Sequence, residues 1–218
     1  MNTQYELLTL FADGGRMMYP LVICSLIGLG VIIAKFWTLW VAGRDSAAVI
    51  RSVEEAAGEG DLDEAAAIAS ATRGPAAAIL LAGLRRIKTA SVNEGEVEQA
   101  VSTTGSIELS FLERGLVVLA TIANVAPLMG FLGTVAGMIL AFDSIAQAGD
   151  VDPATVAGGI KVALLTTAAG LTIAIPINIG YNIFVGKIDS LIVDMEESTQ
   201  KVLSMVWDLE RDGRLQVS

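Results

Sequence analysis

Thr134 lies in the apolar run Ala126-Pro127-Leu128-Met129-Gly130-Phe131-Leu132-Gly133-Thr134-Val135-Ala136-Gly137, and Thr166 and Thr167 lie in a second run with Gly158, Gly159, Ala163, Gly170 and Ala174. In each run the small residues recur at spacings of three and four, as Gly130, Gly133 and Gly137 do in the first. That spacing puts them on one face of a helix, where a second apolar helix can approach until backbones touch. A hydroxyl on such a face has two uses. It can bond back to the carbonyl one turn earlier in its own helix. Repeated around an oligomer, it can instead line a polar path that binds a dehydrated ion or orders water, without the cost of a fixed buried charge. The residue types leave both uses open.

Other chemistries lack their parts. The chain has no His and its one cysteine, Cys24, stands inside an apolar stretch, so a disulfide framework, a Cys/His metal site and a Cys/His nucleophile are excluded. A net charge of -10 without a Lys/Arg run excludes nucleic-acid binding. Glu54, Glu55, Glu94, Glu96 and Glu98 fall in Ala-rich helical sequence and read as a solvated face rather than paired acids. We expect no enzyme, no metal and no cofactor. Two charges stand closer to the hydroxyls. Asp143, toward the end of the first run's helix, is placed to guard the mouth of an ion path or to end as a solvated acid. Lys161, about two turns into the other helix, is placed to snorkel outward or to pair with Asp143, Asp150 or Asp152.

The elements that carry these residues are those of a membrane protein. Of 218 residues 53% are hydrophobic and 17% charged, and the mean hydropathy is +0.62, more than a soluble core of this size needs. The apolar residues are concentrated in three stretches. The pattern predicts a short outer segment 1–16, transmembrane helix 17–42, a cytoplasmic helical domain 43–113, transmembrane helix 114–147, an outer loop 148–153, transmembrane helix 154–187 and a cytoplasmic helical tail 188–218. The acidic amino-terminal residues do not look like a removable signal peptide. Lys35, one turn before Trp37 and Trp40, reads as a snorkelling anchor at the headgroups. Within 43–113, helix starts are expected at Asp61, closing on Glu64, and near Asn93, with a break at Gly74-Pro75.

Val97, Val101, Thr104, Ile107 and Phe111 keep a helical period up to Arg114, so one helix is expected to run from the cytoplasmic domain through the bilayer. Ile188, Leu191, Ile192, Met195, Val202, Leu203 and Val206 form a matching stripe after the third span, and the two long helices are expected to pack side by side. Of the 14 Lys and Arg, all but Arg16 and Lys161 lie at the end of span one, in the stretch to Arg114 or after span three. By the positive-inside rule the amino terminus is then outside and the carboxyl terminus inside.

The run from Ile122 to Met138 strongly resembles a signature of the MotA/TolQ/ExbB proton-channel family, and Ala163 to Leu171 with Ala174-Ile175-Pro176 and Tyr181-Asn182 resembles its third-span signature. The likeness is closer to the ExbB and TolQ branch than to flagellar MotA. It implies an all-α protein of the bacterial inner membrane, assembled as a homopentamer whose second and third spans line a pore around a dimer of a single-span ExbD/TolR-like partner. That partner's aspartate would carry H⁺ or Na⁺, and the motion would drive a TonB-like or TolA-like protein. Thr134 and Thr167 match the family's channel threonines, while Pro127, Gly130, Gly133, Gly137, Gly170 and Pro176 set helix packing and pore shape. Many ExbB and TolQ proteins have a glutamate where this chain has Val162 beside Lys161. The rival reading is a passive scaffold in which the small-residue faces only pack helices. A secondary transporter fits less well, because three spans hold no inverted repeat.

Overall fold

The computed structural model of the chain describes residues 9–89, 94–148 and 152–211, and all of its regular structure is helical. After a helical turn at 9–13 come α1 (Met18–Gly58), α2 (Leu62–Ala71), α3 (Pro75–Thr89), α4 (Glu94–Glu113), α5 (Leu116–Ala148) and α6 (Pro153–Arg211). Among the described residues three helices, α1, α5 and α6, are long and apolar enough to cross a membrane. The segments 1–8, 90–93, 149–151 and 212–218, with the expected helix start at Asn93 and with Asp150, lie outside the described residues.

Sequence signals account for several of the helix ends. α1 closes in a Schellman motif: Gly60 takes φ +87°, the amide of Asp61 donates to the Ala56 carbonyl at 3.2 Å, and that of Gly60 donates to Ala57 at 3.1 Å. Asp61 then caps α2 by accepting from the Glu64 amide at 2.9 Å. The reciprocal half of a capping box does not form, because the Asp61 amide is already committed to closing α1. Gly74, at φ +138°, and Pro75, in the first turn of α3, make the expected break. α6 starts with Pro153 behind Asp152, whose carboxylate accepts from the Ala154 amide (3.2 Å), the Thr155 amide (3.2 Å) and the Thr155 hydroxyl (2.8 Å).

Two expectations about helix continuity are corrected. No single helix runs from the 94–113 region into the second span. α4 stops at Glu113, Gly115 adopts φ +89°, and α5 begins again with the Val118 and Leu119 amides on the Gly115 carbonyl. Only a glycine takes that left-handed conformation at no steric cost, and a hydrophobic period cannot register one such residue. Conversely, α1 passes the expected border at 42–43 without interruption and ends only at Gly58.

The chain divides into two compact units. One holds the described residues up to Ala34 together with Gly115–Ile183; the other holds Lys35–Arg114 and Phe184 onward. In the second, α2 packs on α3 and α3 on α4. Its core is made of large aliphatic side chains: Ile79, Leu80, Leu84 and Ile87 of α3, Val53 of α1, and the whole stripe Ile188, Leu191, Ile192, Met195, Val202, Leu203, Val206 of α6, all buried. The matching stripe on α4 is buried only in its first half. Val97 and Val101 are inside, but Ile107 and Phe111 are 51% and 48% exposed, and Leu112 is buried in their place. Gly105 brings α4 and α6 together, since a Cβ there would meet the Glu196 carboxylate. Lys35 is not a snorkelling anchor. It is 8% exposed and donates to the Leu112 carbonyl at 2.6 Å, in the last turn of α4, where carbonyls lack donors from their own helix. Trp37 and Trp40 remain exposed, with ring centroids 5.9 Å apart.

Candidate functional site

The site belongs to the first unit, where α5 lies against the first half of α6. Gly130, Gly133, Gly137 and Gly170 are all buried. A Cβ at Gly130 would lie 2.8 Å from the Thr166 carbonyl oxygen, one at Gly137 2.9 Å from the Gly159 carbonyl oxygen, and one at Gly170 2.6 Å from the Ala126 carbonyl oxygen. These are backbone atoms that cannot turn aside, so the helices are as close as their peptide groups allow. Pro127 and Pro176 both stand inside their helices. Each removes the amide an α-helix would aim at the residue four back, a loss tolerated in membrane helices. Pro127 is half-buried; Pro176 is exposed.

The close approach separates the three threonines into two kinds. Thr166 is fully buried against Gly133, and its hydroxyl donates within its own helix, to Ala163 (2.9 Å) or Val162 (3.2 Å). That is the helix-bonded state expected of a membrane threonine. Thr134 and Thr167 instead meet across the interface, with their oxygens 2.6 Å apart. Both are half-buried. Thr167 also reaches the Gly130 carbonyl at 3.2 Å, and Thr134 reaches Gly130 at 3.3 Å and Ala163 at 3.4 Å.

Each hydroxyl has one proton and two lone pairs, so the pair has two bonded arrangements. In one, Thr134 donates to Thr167 and Thr167 to Gly130. In the other, Thr167 donates to Thr134, and Thr134 to Ala163 or Gly130. The chain of hydrogen bonds can therefore reverse direction while every heavy atom stays in place. An aliphatic hydroxyl does not titrate near neutral pH. The pair can coordinate a cation or orient water, but a group that holds the ion's charge must come from elsewhere.

The remaining candidates are not brought to this pair. Asp143 is exposed, more than two turns along α5 from Thr134. Of the acids expected for Lys161, neither Asp143 nor Asp152 pairs with it, and Asp150 lies outside the described residues. The Lys161 Nζ donates to Asp13 at 2.6 Å, while Asp152 is occupied in capping α6. The partner lies 148 residues away in sequence, and no local spacing links the two. Val162 is half-buried beneath the Gly15 turn, at φ +70°, and a Cβ on Gly15 would stand 3.8 Å from its Cγ1. Of the carboxylates read as a solvated face, Glu55, Glu96 and Glu98 are exposed and Glu54 is half-buried; Glu96 pairs with Arg86, and Glu54 with Lys201 at 2.9 Å. Among the described residues no group of His, Cys, Asp and Glu could hold a metal ion.

Three apolar helices with a small-residue seam define a multi-pass, all-helical membrane protein. Residues 71–197 match the MotA/TolQ/ExbB proton channel family, and the chain belongs to that family. Among curated relatives, it is 33% identical over 190 residues to a putative biopolymer transport protein ExbB homolog of Methanothermobacter thermautotrophicus, covering 87% of this chain and 66% of that one. It is 31% identical over 208 residues to the biopolymer transport protein ExbB of Pseudomonas putida (90% of this chain, 61% of that one). Over 102 residues it is 41% identical to the Tol-Pal system protein TolQ of Pseudomonas aeruginosa (47% of this chain, 41% of that one). The matches thus span about two thirds or less of these relatives' length. Thr134, Thr167 and their glycine neighbours all fall inside the family match.

Proposed function

We propose that this chain is the ion-channel subunit of an inner-membrane motor, which couples a proton or sodium gradient to mechanical work through a single-span partner. The observation that carries the reading is the Thr134–Thr167 bond, 2.6 Å across the α5–α6 seam. It places two reorientable hydroxyls between apolar helices, in a chain whose family is one of proton channels. Because those hydroxyls cannot hold charge, the reading requires a carrier carboxylate, and an ExbD/TolR-like dimer with an aspartate in its span would supply it. A homopentamer of this chain would put five such pairs around that dimer. Relatives named for biopolymer transport and for the Tol-Pal system support energised transport across the outer membrane or envelope maintenance as the proposed work, with a TonB-like or TolA-like protein as its proposed recipient.

The test separates motor from scaffold. Thr→Val keeps volume and deletes the hydroxyl, and interhelical hydrogen bonds of this kind contribute only about 0.6 kcal/mol to membrane-protein stability. The Thr134→Val/Thr167→Val variant should therefore assemble at wild-type yield and lose gradient-driven work. Thr172→Val, whose exposed hydroxyl bonds only Ala168 at 2.8 Å, should keep it. Wild-type activity in the double variant would return the passive scaffold to the lead.

The same reading sets the amino terminus in the periplasm and the 43–113 and 188–218 regions in the cytoplasm, following the Lys and Arg distribution. A reporter active only outside the cytoplasm should work when fused near Asp150 and fail near Arg73. Activity at Arg73 would overturn this topology.

A further inference from the structure

Residues 9–16 form a strap that meets α6 at Lys161 and Val162, about two turns into that helix from Pro153. The strap is held by apolar and backbone contacts of its own. Phe11 packs edge-on against Tyr19 with centroids 5.3 Å apart, the Gly14 amide donates to Leu10 (3.0 Å) and the Gly15 amide to Ala12 (3.3 Å). Met18 then begins α1 from the Gly15 carbonyl at 3.2 Å, with the Gly15 turn resting on Val162. The Asp13–Lys161 pair adds little to this anchoring. Its side chains are 42% and 57% exposed, and ion pairs so exposed contribute little to stability.

What the pair changes is the local field. Among the described residues, the first unit carries five charged side chains: Asp13, Arg16, Asp143, Asp152 and Lys161. Lys161 is the one cation on that unit's part of α6, about six residues or ~9 Å of helix rise from Thr167. That is close to the ~8 Å screening length of physiological salt, so an uncompensated ammonium there repels a cation approaching the hydroxyl pair.

We propose that the strap is an electrostatic clasp at the mouth of the ion path, in which Asp13 neutralises Lys161 and so admits cations to Thr134 and Thr167. The inference rests on the ion-channel reading above. It assigns Asp13 as a residue that sets the cation admission rate, a role its sequence position does not suggest.

The test uses the complex purified from its native membrane through a tag on this chain and reconstituted in liposomes. Proton and sodium uptake are followed with ion-sensitive dyes under an imposed potassium diffusion potential. Asp13→Asn leaves a bare ammonium and should lower uptake on the order of ten-fold at low salt, with recovery near ~1 M salt, where screening acts within ~3 Å. Lys161→Ala should conduct at or above the wild-type rate. Asp13→Asn/Lys161→Ala has neither charge and should return to the wild-type rate. A double variant as slow as Asp13→Asn means that the bond serves as a tether, and it overturns the clasp; so does Asp13→Asn uptake equal to wild type. Thr134→Val/Thr167→Val runs alongside. If that variant conducts normally, or the wild-type complex conducts nothing, the ion-channel reading itself fails and the clasp fails with it.

Discussion

The two units of this chain differ in what their helices pack on and in what they show to their surroundings. In the unit of α5 and the first half of α6, the α5–α6 seam is Ala126, Gly130, Gly133, Gly137, Ala163 and Gly170, beside buried Leu21, Leu119 and Ile122, while Leu128, Phe131, Leu140, Leu164 and Ile183 stand at least 60% exposed. In the unit built around α2, α3 and α4, Ile79, Leu80, Leu84, Ile87 and Leu203 are at most 2% exposed, and the surface is charged. Both patterns follow from the surrounding solvent. Water drives large apolar side chains inward at roughly 25 cal/mol per Å² of area removed. A bilayer offers no such gain, since lipid tails are as apolar as leucine. Helices there associate through close backbone packing and interhelical hydrogen bonds, for which small residues and hydroxyls are needed. The hydroxyl pair is thus a product of the same packing rule that holds its unit together. A seam of leucines would have held Thr134 and Thr167 too far apart to bond.

The contrast can be broken most severely at the seam. Gly133→Leu inserts a side chain where a Cβ alone would stand 2.5 Å from the Thr166 Cβ, and it should exceed the ~1–3 kcal/mol usual for overpacking. The expected outcome is a sharp fall in intact oligomer by native mass measurement in detergent; unchanged yield would show that this face packs against nothing that matters. The second unit should respond in the opposite sense, to truncation rather than enlargement. Ile79→Ala, at a fully buried position of α3, should cost about 2–5 kcal/mol. Faster amide hydrogen exchange should then appear in α2–α4, with α5 unaffected. If exchange rises equally in α5, the two units are not separately stabilised.

The smallest effect should come from Asp152, the exposed cap of α6. The Thr155 hydroxyl first, then the Ala154 and Thr155 amides, hold its carboxyl below the usual carboxylate range. A lowered folded-state pKa stabilises the fold above the unfolded value, and that contribution disappears as pH falls through the folded one. Asp152→Asn should therefore leave neutral-pH stability nearly unchanged and flatten the acid limb of its pH dependence below about pH 4. An acid limb identical to wild type would assign that sensitivity to other carboxylates.

Composition, hydropathy and two motif spacings were enough for the three apolar helices, their small-residue faces, the Asp61 and Gly74-Pro75 punctuation and the buried stripe of α6. These are local quantities: a run of apolar residues or a period of three and four is written along one element. Partner choice is not local. The residues carrying Thr134, Thr166 and Thr167 are alike in type and surroundings along the chain. Yet Thr166 turns into the Gly133 seam and bonds its own helix, while Thr167, one residue and about 100° further round, meets Thr134. Lys161 finds Asp13, and Lys35 finds the Leu112 carbonyl at the end of α4, because the fold brings distant segments beside them. Gly115 ends a helix that every neighbouring residue would have continued, since backbone handedness at one glycine leaves no trace in a hydrophobic period.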